Sequence, residues 1–209
     1  MELKEIKIEG YKSIRSIESL KLNKLNVLIG ANGAGKSNLI SFFKLIASLA
    51  RNDLQSFIQD QGGPDSILYR GRKQTPQLSA ELNFGPNAYK FGLKATADNR
   101  LIFSREQVSF RGDFKPEHAE NLGTNHEESN LSKKTTPVRQ HVLAATNKWR
   151  LYHFHDTSST AKVKQFHASN DNIILKEDAS NLAAYIARLK SQDSSSYKRI
   201  VDTIRLAAP

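Results

Sequence analysis

The chain has 209 residues, a formal net charge of +10 and no cysteine, enough for one domain or one domain with a small second lobe. Without cysteine there are no disulfides or thiolate metal sites. No apolar run approaches the ~18–20 residues of a bilayer span, and Met1-Glu2-Leu3-Lys4-Glu5 lacks the apolar core of a signal peptide, so a cytoplasmic protein is expected. The surplus positive charge suits a polyanion, of which nucleic acid is the commonest, although it also serves solubility. The basic residues are spread along the chain, so any binding surface must be assembled by folding.

Leu3 to Glu9 alternates Ile6 and Ile8 with Glu5, Lys7 and Glu9, the pattern of a half-buried strand. Gly10-Tyr11-Lys12-Ser13 breaks it, and Ile14 to Leu22 reads as a second strand. Leu25-Asn26-Val27-Leu28-Ile29 is a short apolar run that predicts a buried strand. Gly30-Ala31-Asn32-Gly33-Ala34-Gly35-Lys36-Ser37 follows and fits G-x-x-x-x-G-K-[S/T], the phosphate-binding P-loop. Glycines let backbone N–H groups close around phosphate, and the next helix adds its positive end. Lys36 is placed to reach the β- and γ-phosphates of ATP and Ser37 to ligate Mg²⁺, with Asn38 completing the site. Lys36 to Ala50 has no Gly or Pro, and Leu39, Phe42, Phe43, Ile46 and Leu49 fall at helical spacing.

The run from Leu3 to Ile14, followed by Leu25 to Gly30, resembles the amino-terminal lobe of RecF/SMC-type ATPases, the ABC-like branch of P-loop proteins that includes RecF-like AAA ATPases. Trp149 to Thr157 and Asp178-Ala179-Ser180-Asn181-Leu182 resemble the same class. The likeness is continuous over residues 1–50, scattered to about residue 75, and returns over 149–209. It implies an α/β P-loop NTPase of ABC/RecF-like type, with a mixed core sheet, an antiparallel side sheet and a helical segment at the C-terminus.

Asp53 to Gln61 extends the helical region until Gly62-Gly63-Pro64 stops it. The resemblance implies that a basic residue after the first helix approaches nucleotide or DNA, and Arg70 and Arg72 are the candidates; a solvated loop pair is the alternative. Residues 77–111 read as an antiparallel meander with turns at Gly85-Pro86-Asn87 and Asp98-Asn99. Together 1–111 form the expected nucleotide-binding lobe. Residues 112–137 are polar and read as a mobile loop. Residues 138–209 are expected to hold a helix started by Pro137, a strand from Arg150 to Asp156, and two helices, the first capped by Ser180 and the second starting near Ser195. His153, His155 and Asp156 could ligate a metal, but no third His or further carboxylate sits at an obvious local spacing. The resemblance puts a glutamine sensing Mg²⁺ and the γ-phosphate near this strand. No Gln holds the place, leaving His155 or Asp156 as stand-ins or the role absent.

Other parts of the resembled machinery are missing. No apolar strand ends in Asp-Glu; Ile173-Ile174-Leu175-Lys176-Glu177-Asp178 comes nearest, and Lys176 interrupts it. No Leu-Ser-Gly-Gly-like signature or switch histidine is present, which suggests an amino-terminal fragment or a naturally truncated protein. The resemblance implies a homodimer that couples ATP binding and hydrolysis to DNA transactions in repair, chromosome maintenance or phage defence, with an effector protein as a possible partner. A non-catalytic, nucleotide-regulated DNA-binding or scaffolding module is the alternative reading. A small-molecule kinase fits less well, because the leading hairpin and the meander are foreign to such folds.

Overall fold

The structure is a computed structural model that describes residues 2–112, 118–134, 136–152, 158 and 160–207. The chain forms two compact units, Met1–Trp149 and Arg150–Pro209.

The first unit is built on one six-stranded antiparallel sheet. Its strands are β1 (Glu5–Tyr11), β2 (Ile14–Lys21), β3 (Gln77–Asn83), β4 (Asn87–Ala95), β5 (Leu101–Phe110) and β6 (His118–Gly123), in the spatial order β2-β1-β3-β4-β5-β6. The hairpin and the meander thus join in one sheet through β1 and β3, with Ile8 opposite Ala80. Period-two alternation gives the sheet an apolar face: Ile6, Ile8, Leu78, Leu82, Tyr89, Phe91, Leu93 and Phe103 are buried, while Lys7 and Glu9 are exposed. That face shares its core with Leu39, Phe42, Leu45, Ile46 and Leu49 of helix α1 (Lys36–Arg51). Each such side chain contributes about 1.5–3 kcal/mol by leaving water. Asn52 ends α1 in the left-handed region at φ 56°, its N–H reaching the carbonyls of Leu49 and Ser48. Helices α2 (Leu54–Asp60) and α3 (Pro64–Ile67) follow.

The stretch expected to be a mobile loop is in part strand β6, and its described remainder docks on the sheet. Glu106, fully buried on β5, accepts hydrogen bonds from Tyr89 Oη (2.7 Å), Ser129 Oγ (2.5 Å) and Asn130 N (2.8 Å). The Glu128 carboxylate receives the N–H groups of Leu54 and Gln55 at the start of α2 (2.8 and 3.0 Å). Composition missed this because side-chain hydrogen bonds hold most of the segment, with Leu122 and Leu131 as its apolar anchors in the core. Pro137 does start a helix, α4 (Pro137–Thr146), whose Arg139 bonds Glu120 Oε1 (2.6 Å) and the Asn130 carbonyl (2.9 Å). Trp149 closes the unit edge-on to Phe43, with centroids 5.3 Å apart.

A second correction concerns Leu25–Ile29. The expected buried strand is absent: the run has no regular structure, and Leu25, Val27 and Ile29 are 81%, 71% and 91% exposed. The described sheet already has all its strands paired in order and gives this run no neighbour.

In the second unit, Arg150 to Tyr152 has no regular structure, and the rest of the expected strand, with His153, His155 and Asp156, lies outside the described residues. Helices α5 (Leu182–Gln192) and α6 (Ser194–Ala207) fall where their periodicity predicts. The residue that caps α5 is Asn181 rather than Ser180, and its side chain is turned away from the helix. Nearly fully buried, it donates to the Asp171 and Ile174 carbonyls and accepts from Lys176 N, shaping the loop before the helix.

Candidate phosphate site

Residues 30–38 connect the exposed run 25–29 to α1. Gly33 and Gly35 stand at φ 82° and 87°, where L side chains are strained. A Cβ on Gly33 would meet nothing, so backbone conformation alone requires glycine there. At Gly35 it would also come within 3.1 Å of Ser13 Oγ. Helix α1 begins without a side-chain cap and without acidic residues in its first turn. Its first N–H groups thus remain available to an anion and its dipole is not offset by a neighbouring carboxylate. Lys36 folds back over the loop and donates from Nζ to the carbonyls of Gly30 (2.6 Å) and Ala31 (2.7 Å). Ser37 is exposed in the first turn.

Two residues in the β1–β2 turn brace the N-terminal part of α1, into which this loop leads, and sequence reasoning passed over both. Asn38 Nδ2 donates to Ser13 Oγ at 2.7 Å, tying the first turn of α1 to the hairpin. Lys12, in the left-handed region at φ 47°, donates to Ser41 Oγ (2.9 Å) and Gln61 Oε1 (2.6 Å). Burial, with help from the nearby Lys44 charge, pushes the Lys12 amine below its ordinary value. Tyr11 Oη meets the same Ser41 at 2.9 Å, and burial pushes its phenol up. The only signal in the sequence was the Gly10–Ser13 break, which marks a turn without saying what the turn touches.

The two candidate arginines differ. Arg72 is committed: its N and Nε bond Asp65, Nη1 bonds the Thr96 carbonyl (2.9 Å) and Nη2 bonds Asn99 (2.5 Å). Arg70 is exposed, left-handed at φ 56°, with its guanidinium over the Tyr69 ring at 5.4 Å. His155 and Asp156 lie outside the described residues. Asp178 is occupied locally: the Ser180 N–H and the Lys162 ammonium hold its carboxyl well below the usual range. Among the described residues, no cluster of three His, Cys, Asp or Glu could hold a metal, and no helix is long and apolar enough to cross a membrane.

This geometry suits phosphate: a glycine-shaped turn, an uncapped helix N-terminus, and a lysine with an exposed hydroxyl beside it. A family model described as "AAA domain, putative AbiEii toxin, Type IV TA system" matches residues 25–203. Two curated proteins, each named DNA replication and repair protein RecF, are also similar. The one from Exiguobacterium sp. (strain AT1b) is 31% identical over 104 residues, covering 48% of this chain and 28% of the relative. The one from Geobacter sp. (strain M21) is 31% identical over 108 residues, covering 49% and 28%. The chain therefore matches less than a third of the length of these relatives.

Proposed function

The chain belongs to this AAA family, and from that premise we propose that residues 30–38 bind ATP with Mg²⁺. A nucleotide-binding ATPase of RecF-like type is what the family and its relatives support. The observation that carries the placement is the uncapped start of α1 behind Gly33 and Gly35. Backbone N–H groups of the loop would hold the β- and γ-phosphates, and Lys36 would exchange the Gly30 and Ala31 carbonyls for phosphate oxygens. The Ser37 hydroxyl would hold Mg²⁺, which neutralises charge on the phosphates when bound. Ser13, through Asn38, fixes the helix turn that presents these groups.

The whole protein would couple ATP binding and hydrolysis to dimerisation and to DNA transactions in the cytoplasm. The mixed core sheet implied by the resemblance would take in Leu25–Ile29, whose apolar side chains now stand in water. A second reading, a non-catalytic module regulated by nucleotide, is favoured by one observation. Of the two adjacent carboxylates nearest to a water-orienting motif, Asp178 is already bonded to Lys162 and Ser180. Turnover needs a carboxylate that orients water and donors that neutralise the transition state.

Phosphate release from purified 1–209 tests whether this chain alone turns ATP over, with Lys36→Ala as the contamination control, and the same assay on the whole protein separates the readings. The result expected of 1–209 is ATP bound and left essentially intact. Steady turnover near ~1 s⁻¹, within the usual enzyme range and abolished by Lys36→Ala, would contradict it and point to an unrecognised catalytic carboxylate.

A further inference from the structure

The first unit has a second concave place that the phosphate site does not use. A cleft of about 640 Å³ opens beside the β1–β2 hairpin, between Glu9, Arg15 and Ser79 of the strands and the segment from Tyr69 to Gln77. Gly10 lets it form: a Cβ there would come within 2.8 Å of Thr75 Cγ2 and 3.0 Å of the Gln77 carbonyl. The Tyr69 N–H is tied to the Gly10 carbonyl at 2.9 Å. Next to that tie, Arg70 takes its left-handed conformation, and its guanidinium lies over the Tyr69 ring. Non-glycine residues rarely adopt this conformation, and strain of this kind clusters at binding sites. Arg72 is consumed by Asp65 and Asn99, whereas Arg15 and Arg70 form no ion pair among the described residues.

We propose that this cleft binds one nucleotide unit of a single-stranded nucleic acid. Two uncommitted guanidinium groups supply the attraction for a backbone phosphate. The Tyr69–Arg70 pair offers a planar surface on which a base can stack. Glu9 stands in the same cleft, so a purely anionic ligand would meet a carboxylate there; a base edge carrying N–H groups gives Glu9 a donor instead. In a duplex the bases are paired and stacked, and the Tyr69–Arg70 surface would go unused. A shallower trough of about 320 Å³ shares Glu9 and Ser79 with the cleft and runs over the outer face of the sheet past Lys7 and Arg105. Lys7 is paired there with Glu81 and Glu18 lines the same trough, which leaves Arg105 as the cation for an adjoining phosphate. This inference rests on the nucleic-acid part of the reading above and adds the form of the strand and the place where it binds.

Fluorescence anisotropy with a labelled single strand of about 16 nucleotides tests it on the full chain. The variants are Arg70→Gly, which suits a φ of 56°, and Arg15→Gln on the exposed edge strand β2, with circular dichroism to check that both fold. Each is expected to bind the strand about tenfold less tightly. Duplex should compete poorly, and Arg15→Gln should keep wild-type affinity for ATP. Unchanged strand affinity in both variants overturns the placement and leaves the nucleic-acid reading standing; no binding by wild type even at low salt overturns both. Duplex competing as well as single strand denies the stacked base. A proportional loss of ATP affinity in Arg15→Gln would assign the cleft to the P-loop ligand, and it too overturns the proposal.

Discussion

Residues 124–134 and residues 22–35 are both loops of the first unit, and they are held in opposite ways. The first is polar in sequence, yet it is pinned by Glu106 to the sheet and, through Glu128, to the start of α2. The second contains the most apolar run near the N-terminus, yet Leu25, Val27 and Ile29 stand in water. Burial here follows available partners, not side-chain polarity. A buried carboxylate surrounded by donors can hold a polar segment, whereas an apolar run without a neighbouring strand has nowhere to go. The P-loop therefore sits on a platform that is complete on the side of α1 and the β1–β2 turn and open on the side of the run that enters it.

The sharpest way to break this contrast is Glu106→Gln. One oxygen becomes an amide that can no longer accept from its donors, leaving a buried polar group unsatisfied, so unfolding in urea should show a loss of about 1–3 kcal/mol. A change within error would mean that the polar segment is not anchored there. A smaller effect is expected on acidification. Burial pushes the Glu120 carboxyl up, but Arg139 and Thr136 outweigh it and hold it below its ordinary 4.5. A carboxyl depressed in the folded state stabilises fully above its unfolded value and loses that contribution as pH falls through its folded value. The loss that Glu120→Gln shows in thermal unfolding at neutral pH should therefore shrink as pH falls below 4.5 and through the depressed folded value; a loss that stays equal throughout the acid range would remove the ion pair with Arg139 from the account. The smallest effect belongs to the open side: Ile29→Ser should change the stability of 1–209 by no more than about 0.5 kcal/mol. A loss of several kcal/mol would show that the run is buried after all.

Much of the fold was legible because periodicity carries it. Ile6 and Ile8, the meander from Leu78 to Val108, and the spacing of Leu39, Phe42 and Ile46 each point to the element that forms. The glycines of the P-loop were legible as well, since positive φ at Gly33 and Gly35 is a local demand. What sequence did not reveal depends on distant partners. Glu106 meets Ser129 across 23 positions and Lys12 meets Gln61 across 49, and no local pattern announces either pairing. Leu25–Ile29 failed for the converse reason: its composition fits a buried strand, but composition cannot supply the neighbouring strand. Arg70 and Arg72 looked equivalent, and only the positions of Asp65, Thr96 and Asn99 separate them.

The central claim is that Lys36 and the loop around it hold the phosphates of ATP. Isothermal titration calorimetry of 1–209 with ATP and Mg²⁺, wild type against Lys36→Ala, tests it most directly. Removing a charge-assisted contact to phosphate should cost about 1.5–3 kcal/mol, a loss of roughly ten- to a hundredfold in affinity. Equal affinity in the two proteins, both folded, would contradict the assignment of the site.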